Sequence, residues 1–187
     1  MSYRYKALEK YLDDLAAKLP VPGGGSAAAL TSALGASLIS MVANFSIGKT
    51  KYAKFEKELK SILEKSEKLR EEFLRLADLD VIAFQSKNIR DALNVPFMVC
   101  RLCFEGAKLC TPLIAKGNVN LISDVAVAAI LLESGFASAY INVGINLKLL
   151  GDKKLSHEIN KELEQKEKSI RRMRLETEEK VGKIIRG

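Results

Sequence analysis

The residues best able to do chemistry are one carboxylate in an apolar seam and a run of glycines ahead of a helix. Leu59, Ile62, Ser66, Leu69, Phe73, Leu76, Asp80 and Ala83 follow alternating steps of three and four, the spacing of one packed helix face. Asp80 therefore occupies a core-facing position on a helix predicted over about Lys51 to Asn88. Desolvation disfavours a charged carboxylate and raises its pKa toward the range useful for general acid–base catalysis. A cap toward another helix, or an ion pair with Lys or Arg, accounts for such an aspartate equally well. Asp78 lies about 200° round the helix from Asp80 and faces elsewhere, so the two aspartates are not equivalent.

Gly23-Gly24-Gly25-Ser26 runs into an uncharged helix. Unpaired N–H groups and the positive end of the helix dipole suit a carboxylate, a phosphate or a developing oxyanion there. The glycine spacing and the missing Lys-Ser/Thr ending exclude a P-loop, and a flexible connector explains the same four residues. Ser26 is the expected N-cap. Asp124, after Asn120 and Ser123, reads as part of another helix N-terminus. Asn142 and Asn146 stand one turn apart in an apolar stretch, so their amides need buried partners or a ligand. Asn142 shares a face with Asp124 but lies about 27 Å further along a straight helix, too far to contact the same small group.

Nucleophilic and metal chemistry find little support. Cys100, Cys103 and Cys110 fall within eleven residues, an odd set that suits free thiols in a reducing cytoplasm better than a secreted disulfide framework. The single histidine, His157, sits far away among charges. Zinc is therefore not expected, and the thiols read as buried apolar groups.

The elements that must hold these groups are all helices; no alternating strand pattern occurs. A first helix, about Tyr3 to Lys18, places Tyr5, Leu8, Leu12, Leu15 and Leu19 on its apolar face, and Pro20 to Gly25 break it. The second, Ser26 to about Gly48, carries no charge and repeats Ala28, Ser32, Ala36 and Ser40 at every fourth position. It is long enough to span a membrane, but its hydroxyls and amides, Asn44 among them, favour a buried central helix. Asn94 and Pro96 are expected to open a fourth helix toward Lys116, kinked or divided at Pro112. After the turn Gly117-Asn118-Val119-Asn120, Leu121 to about Leu150 forms a second core helix. A last helix to about Ile185 presents Leu155, Ile159, Leu163, Ile170, Thr177, Val181 and Ile184 on one stripe.

With 187 residues, 48% of them apolar and 28% charged, the chain reads as one domain, 1–187, and not as a disordered, collagen-like or multi-span protein. The net charge is +7, yet basic and acidic residues interleave at helical spacings, which describes solvated faces and argues against nucleic acid. The N-terminal residues lack the apolar run and cleavage pattern of a signal peptide. Two long neutral helices are more than one copy easily covers, and a homodimer is the simplest closed solution.

Taken together these motifs resemble the cyclodeaminase/cyclohydrolase family, which includes the cyclodeaminase half of formiminotransferase-cyclodeaminase and bacterial methenyltetrahydrofolate cyclohydrolases. The resemblance rests on Pro22 to Ser26, Met41-Val42-Ala43-Asn44 with Gly48-Lys49 and Tyr52, and Asp78-Leu79-Asp80 with Ala83-Phe84. It continues through Val95-Pro96, Gly117-Asn118 with Ser123-Asp124, and Asn142 to Leu147. It implies an all-α, dimeric, cytoplasmic enzyme of one-carbon folate metabolism without metal or redox cofactor. Such enzymes hydrolyse 5,10-methenyltetrahydrofolate to the 10-formyl form or close 5-formiminotetrahydrofolate with loss of ammonia, in some cases beside a formiminotransferase partner. On the family pattern Asp80 is the catalytic residue. Gly23, Gly24, Gly25, Ser26, Asn44, Asp124, Asn142 and Asn146 are the substrate-binding set, with Lys49 toward a polyglutamate tail. A folate-binding or regulatory dimer without turnover is the alternative. In one place the chain departs from the pattern: only ten residues separate Phe84 from Val95, where relatives commonly carry a longer helical insertion.

Overall fold

The computed structural model describes residues 2–187, and among these the chain is helical without a strand. The helices are α1 (Leu8–Ala16), α2 (Gly24–Asn44), α3 (Glu56–Ser86), α4 (Ile89–Lys116), α5 (Ile122–Leu150) and α6 (Lys153–Arg186). Short 3-10 turns at Thr50–Phe55 and Val119–Leu121 precede α3 and α5. The all-α expectation holds.

α2 is the central rod, with α3 along one side and α5 along another; α4 packs on α3 and α5, and α6 lies over α4 and α5. The small-residue stripe does what its spacing suggests: Ala28, Ser32, Ala36 and Ser40 are all buried. A Cβ on Gly135 of α5 would stand 2.1 Å from Ser32 Oγ and 3.2 Å from the Ala28 carbonyl oxygen, so only glycine lets these backbones approach so closely. Gly35 of α2 meets Leu132 and Ala128 in the same way. The pairing of 24 with 142, 28 with 135 and 35 with 128 and 132 makes the two helices antiparallel. Phe73, Phe136, Leu113 and Leu132 fill the space around this pair. Both α2 and α5 are long and apolar enough to cross a membrane; most of α2 is buried inside the fold, whereas α5 keeps one apolar face outside.

Several local expectations need correction. α1 is only nine residues long, and its leucine face is the outer one: Tyr5, Leu8, Leu12 and Leu19 are exposed, while Tyr11 and Asp14 turn inward. The inward face prevails because its polar atoms find partners. Tyr3 Oη donates to Asp14 at 3.0 Å, and Lys10 pairs with the same carboxylate. Ser26 is not the N-cap of α2, which starts two residues earlier behind an extended Gly23. Residues 51–55 belong to the 3-10 turn rather than to α3. Asn88, not Asn94, caps α4 by accepting from the Arg90 and Asp91 amides, so Pro96 and Pro112 lie inside an unbroken helix. At the far end of the last stripe Ile184 is exposed.

Charges on the outer faces pair locally, as their interleaving implies. Examples are Lys68 with Glu64 at 2.7 Å and Lys183 with Glu179 at 2.6 Å; such exposed pairs contribute little stability. The three cysteines are free and buried. Burial pushes the Cys103 and Cys110 thiols up to about 12, and Cys100 up as well, chiefly by desolvation.

Candidate active site

α3 carries Asp80 to the N-terminal end of α2. The first amides of a helix have no intrahelical acceptor, Gly23 offers no side chain to cap them, and Asp80 fills that role from the neighbouring helix. Its Oδ2 accepts the Ser26 amide proton at 2.8 Å. The capping reading of this aspartate is therefore realised, but on one oxygen: no protein donor reaches Oδ1 among the described residues. Burial pushes the Asp80 carboxyl above the ordinary aspartate range, and the Ser26 amide partly opposes this by favouring the charged form. Among the described residues no cation pairs with it. A partly buried carboxylate with one oxygen fixed and the other open is equipped to accept and return a proton.

Asp80 stands in the wall of a cavity of about 510 Å³. Gly23, Gly24 and Gly25 form one side with Pro20 and Val21; Asn142, Asn146, Ile145 and Leu149 of α5 form another. The predicted glycine loop, Asp80 and both asparagines thus come together. Ser26, fully buried, meets the site only through its amide. Sequence reasoning missed Lys87 and Asn88, which line the rim. Lys87 ends α3 in the left-handed region at φ 56° and reverses the chain into α4 within two residues, the short connection noted in the sequence. No glycine marked that turn; the local signal was Asn88, a helix-capping residue type that accepts the Arg90 and Asp91 amides. A larger groove of about 890 Å³ runs between α3 and α4. Its carboxylates, Glu58, Glu72 and Glu105, are each paired with a cation, Lys116, Arg75 and Lys108, so the smaller cavity with Asp80 is the candidate site.

The two asparagines are already engaged. Asn142 Nδ2 donates to the Ser138 carbonyl of its own helix at 2.9 Å. Asn146 Nδ2 donates to the Ala92 carbonyl of α4 at 2.6 Å. Ala92 lies four residues before Pro96, whose missing N–H leaves that carbonyl without its helical donor; Asn146 supplies the replacement. Asn146→Ala is therefore expected to lower unfolding free energy by about 1–3 kcal/mol. In a Pro96→Ala background, where residue 96 regains its N–H, the same change should cost far less. Urea unfolding of the four variants measures this, and an equal cost in both backgrounds contradicts it.

Asn44, Lys49 and Asp124 are not brought to Asp80. The antiparallel register places the end of α2 beside the start of α5, about 27 Å along the rods from the cavity. Asn44 and Lys49 are exposed there, Lys49 lying 5.8 Å above the Phe45 ring. Nearby motif residues lock that end together: the Asn118 amide donates to Ser46 Oγ at 2.8 Å, and the Val119 amide to Tyr52 Oη at 3.2 Å. Asp78 is likewise structural. Its carboxylate accepts Ser2 Oγ and the Tyr3 amide, both at 2.5 Å, and holds the N-terminal segment on α3.

The chain is 40% identical over 182 residues to the methenyltetrahydrofolate cyclohydrolase of Methylorubrum extorquens, covering 85% of this chain and 88% of that protein. It is 28% identical over 169 residues to the formimidoyltransferase-cyclodeaminase of Rattus norvegicus, covering 78% of this chain but 31% of the rat protein. The crystal structure of a formiminotetrahydrofolate cyclodeaminase from Thermotoga maritima superposes with a TM-score of 0.93 at 30% identity, covering 98% of this chain and 100% of that one. The family model described as formiminotransferase-cyclodeaminase matches residues 7–88 and 86–165, two stretches that meet at the α3–α4 turn. The chain belongs to the formiminotransferase-cyclodeaminase family.

Proposed function

We propose that this chain is an enzyme of one-carbon tetrahydrofolate metabolism, hydrolysing 5,10-methenyltetrahydrofolate to 10-formyltetrahydrofolate. The observation that carries this reading is Asp80, with Oδ2 held by the Ser26 amide and Oδ1 free at the cavity wall. Water attacks the methenyl carbon while Asp80 takes one of its protons; the bond from that carbon to N5 then breaks as the formyl C=O forms, the proton held by Asp80 passes to N5, and the remaining hydroxyl proton leaves to solvent. Gly24 and Gly25 line the cavity at the N-terminal end of α2, where the helix dipole favours the negative charge that develops on the oxygen as its hydroxyl proton leaves. This chemistry requires water and a proton acceptor only, so no metal or redox cofactor enters. The Methylorubrum relative, matched over most of its length, favours hydrolysis. The second reading is cyclodeamination of 5-formiminotetrahydrofolate, in which N10 attacks the formimino carbon and ammonia leaves. It is favoured by the Thermotoga match and requires a formiminotransferase to supply its substrate.

The working unit in this reading is a cytoplasmic homodimer. Val127, Ile130, Ile141, Ile145 and Leu149 form an exposed apolar stripe along α5, and Ser134, Ala137 and Ser138 make its middle smooth. An isologous antiparallel contact buries the stripe against itself. It carries Asp124, Asn44 and Lys49 of one copy toward the cavity of the other, where Lys49 meets the substrate's glutamate tail. The test follows methenyltetrahydrofolate absorbance above its spontaneous decay, with 5-formiminotetrahydrofolate in parallel and sedimentation of the same sample. Accelerated loss by a dimer supports the reading. Binding of either folate without turnover supports the regulatory alternative, and a monomer with full turnover removes the shared site.

A further inference from the structure

We propose that Tyr11 is a positioning residue for Asp80, acting through Ser26. The inference rests on the catalytic reading of Asp80 given above. Tyr11 is 5% exposed on the inner side of α1, where its ring meets Tyr3 edge-on at 5.2 Å between centroids and joins the cluster containing Val81, the residue after Asp80. Its hydroxyl donates to Ser26 Oγ at 3.2 Å, and the Ser26 amide donates to Asp80 Oδ2. Phenol, serine and carboxylate form one chain of contacts from α1 through α2 to α3.

The Ser26 hydroxyl, like that of Ser40, which donates to Ser66 of α3 at 2.8 Å, ties α2 to another element. Ser32, Ser37 and Ser46 each donate to the carbonyl four residues back, at 2.8, 2.7 and 2.6 Å. Four residues before Ser26 lies Pro22, outside the helix, and the Ser26 hydroxyl oxygen accepts from Tyr11. The need for an outside tether follows from the sequence. Gly23, Gly24 and Gly25 give this turn unusual backbone freedom, and Gly23 provides no side-chain cap. Asp80 holds the turn from below by its amide, and Tyr11 holds it from the side. Since small misplacements of a catalytic group cost rate steeply, the tether matters to turnover more than to affinity. Asp78, two residues before Asp80, clasps the segment that carries Tyr11, so the N-terminal segment grips α3 on both sides of the catalytic position.

The test compares Tyr11→Phe, Ser26→Ala, their double variant, Tyr3→Phe and Asp80→Asn, each first shown to be folded by circular dichroism. Loss of the phenol hydroxyl should lower kcat about fivefold with KM little changed. Ser26→Ala should do the same, and the double variant should be no worse than either. Tyr3→Phe breaks the contact to Asp14 but not the tether, and should keep kcat. Deuterium exchange of the Ser26 amide, which needs no substrate, should speed about fivefold in Tyr11→Phe and stay unchanged in Tyr3→Phe. Unchanged kcat and exchange in a folded Tyr11→Phe overturn the proposal, as does an equal kcat loss in Tyr3→Phe. Faster exchange in Tyr11→Phe together with full turnover in Asp80→Asn keeps the tether and refutes the catalytic reading instead.

Discussion

Asp80→Asn should fold normally and lose turnover by a factor on the order of 10²–10⁴. Asparagine matches the shape of aspartate, and its side-chain oxygen can still accept the Ser26 amide, so the cap on α2 survives. Its amide cannot accept a proton from water or from N10. The stability effect has the opposite sign. Burial raises the Asp80 pKa in the folded state above its unfolded value, so the folded protein holds that proton more tightly. The carboxyl's contribution therefore favours folding below the unfolded pKa and is lost as pH rises through the raised folded pKa. At neutral pH the charged group opposes folding, and Asp80→Asn should melt no lower than the wild type, a common trade between stability and activity. The kcat/KM profile of the wild type should fall on the acid side at a pH above the ordinary aspartate range. Steady-state kinetics against pH, with thermal melts of both proteins, measure all three. Full turnover in a folded Asp80→Asn refutes the mechanism.

Gly25→Ala should be nearly as damaging, by displacing the same carboxylate. A Cβ there would stand 2.1 Å from Asp80 Oδ1, 2.6 Å from Cγ and 2.9 Å from Oδ2. None of these separations is tolerable, so Asp80 must change rotamer or α2 must shift. Either movement breaks the contact to the Ser26 amide and misplaces the base, with a rate loss on the order of 10²-fold. Overpacking costs about 1–3 kcal/mol, offset in part by the better helix propensity of alanine, about 1 kcal/mol. The net stability change is thus small beside the kinetic one. Gly23→Ala is the control, because nothing lies within 4 Å of its Cβ position and its φ of −137° is open to any residue. Activity should survive at Gly23 and fail at Gly25; comparable losses at both would mean the loop needs flexibility rather than room for the carboxylate.

The glycine run illustrates how far local reasoning reaches. Composition and spacing left open an anion-favouring helix start or a plain connector, and three adjacent glycines look alike in a sequence. Only the approach of α3 separates Gly25, which a side chain would block, from Gly23, which faces open space. The same holds for the two asparagines. Their need for partners was legible from polarity in an apolar stretch, but the Asn146 partner is a carbonyl freed by a proline 50 residues earlier, a relation that exists only once α4 and α5 are side by side.

The sequence by itself determined the helical class, the buried central α2, the seam that carries Asp80 and the inequivalence of Asp78 and Asp80. All of these follow from the 3.6-residue period, which a chain expresses locally whatever it packs against. Tertiary structure decided which face of α1 turns inward, because both faces of that short helix carry apolar residues and hydrogen bonds to Asp14 and Ser26 break the tie. It also decided that Asn44, Lys49 and Asp124 lie a helix length away from Asp80. Motif order along a chain does not encode distance; two long antiparallel rods do, and they set these residues at the opposite end of one copy from the carboxylate.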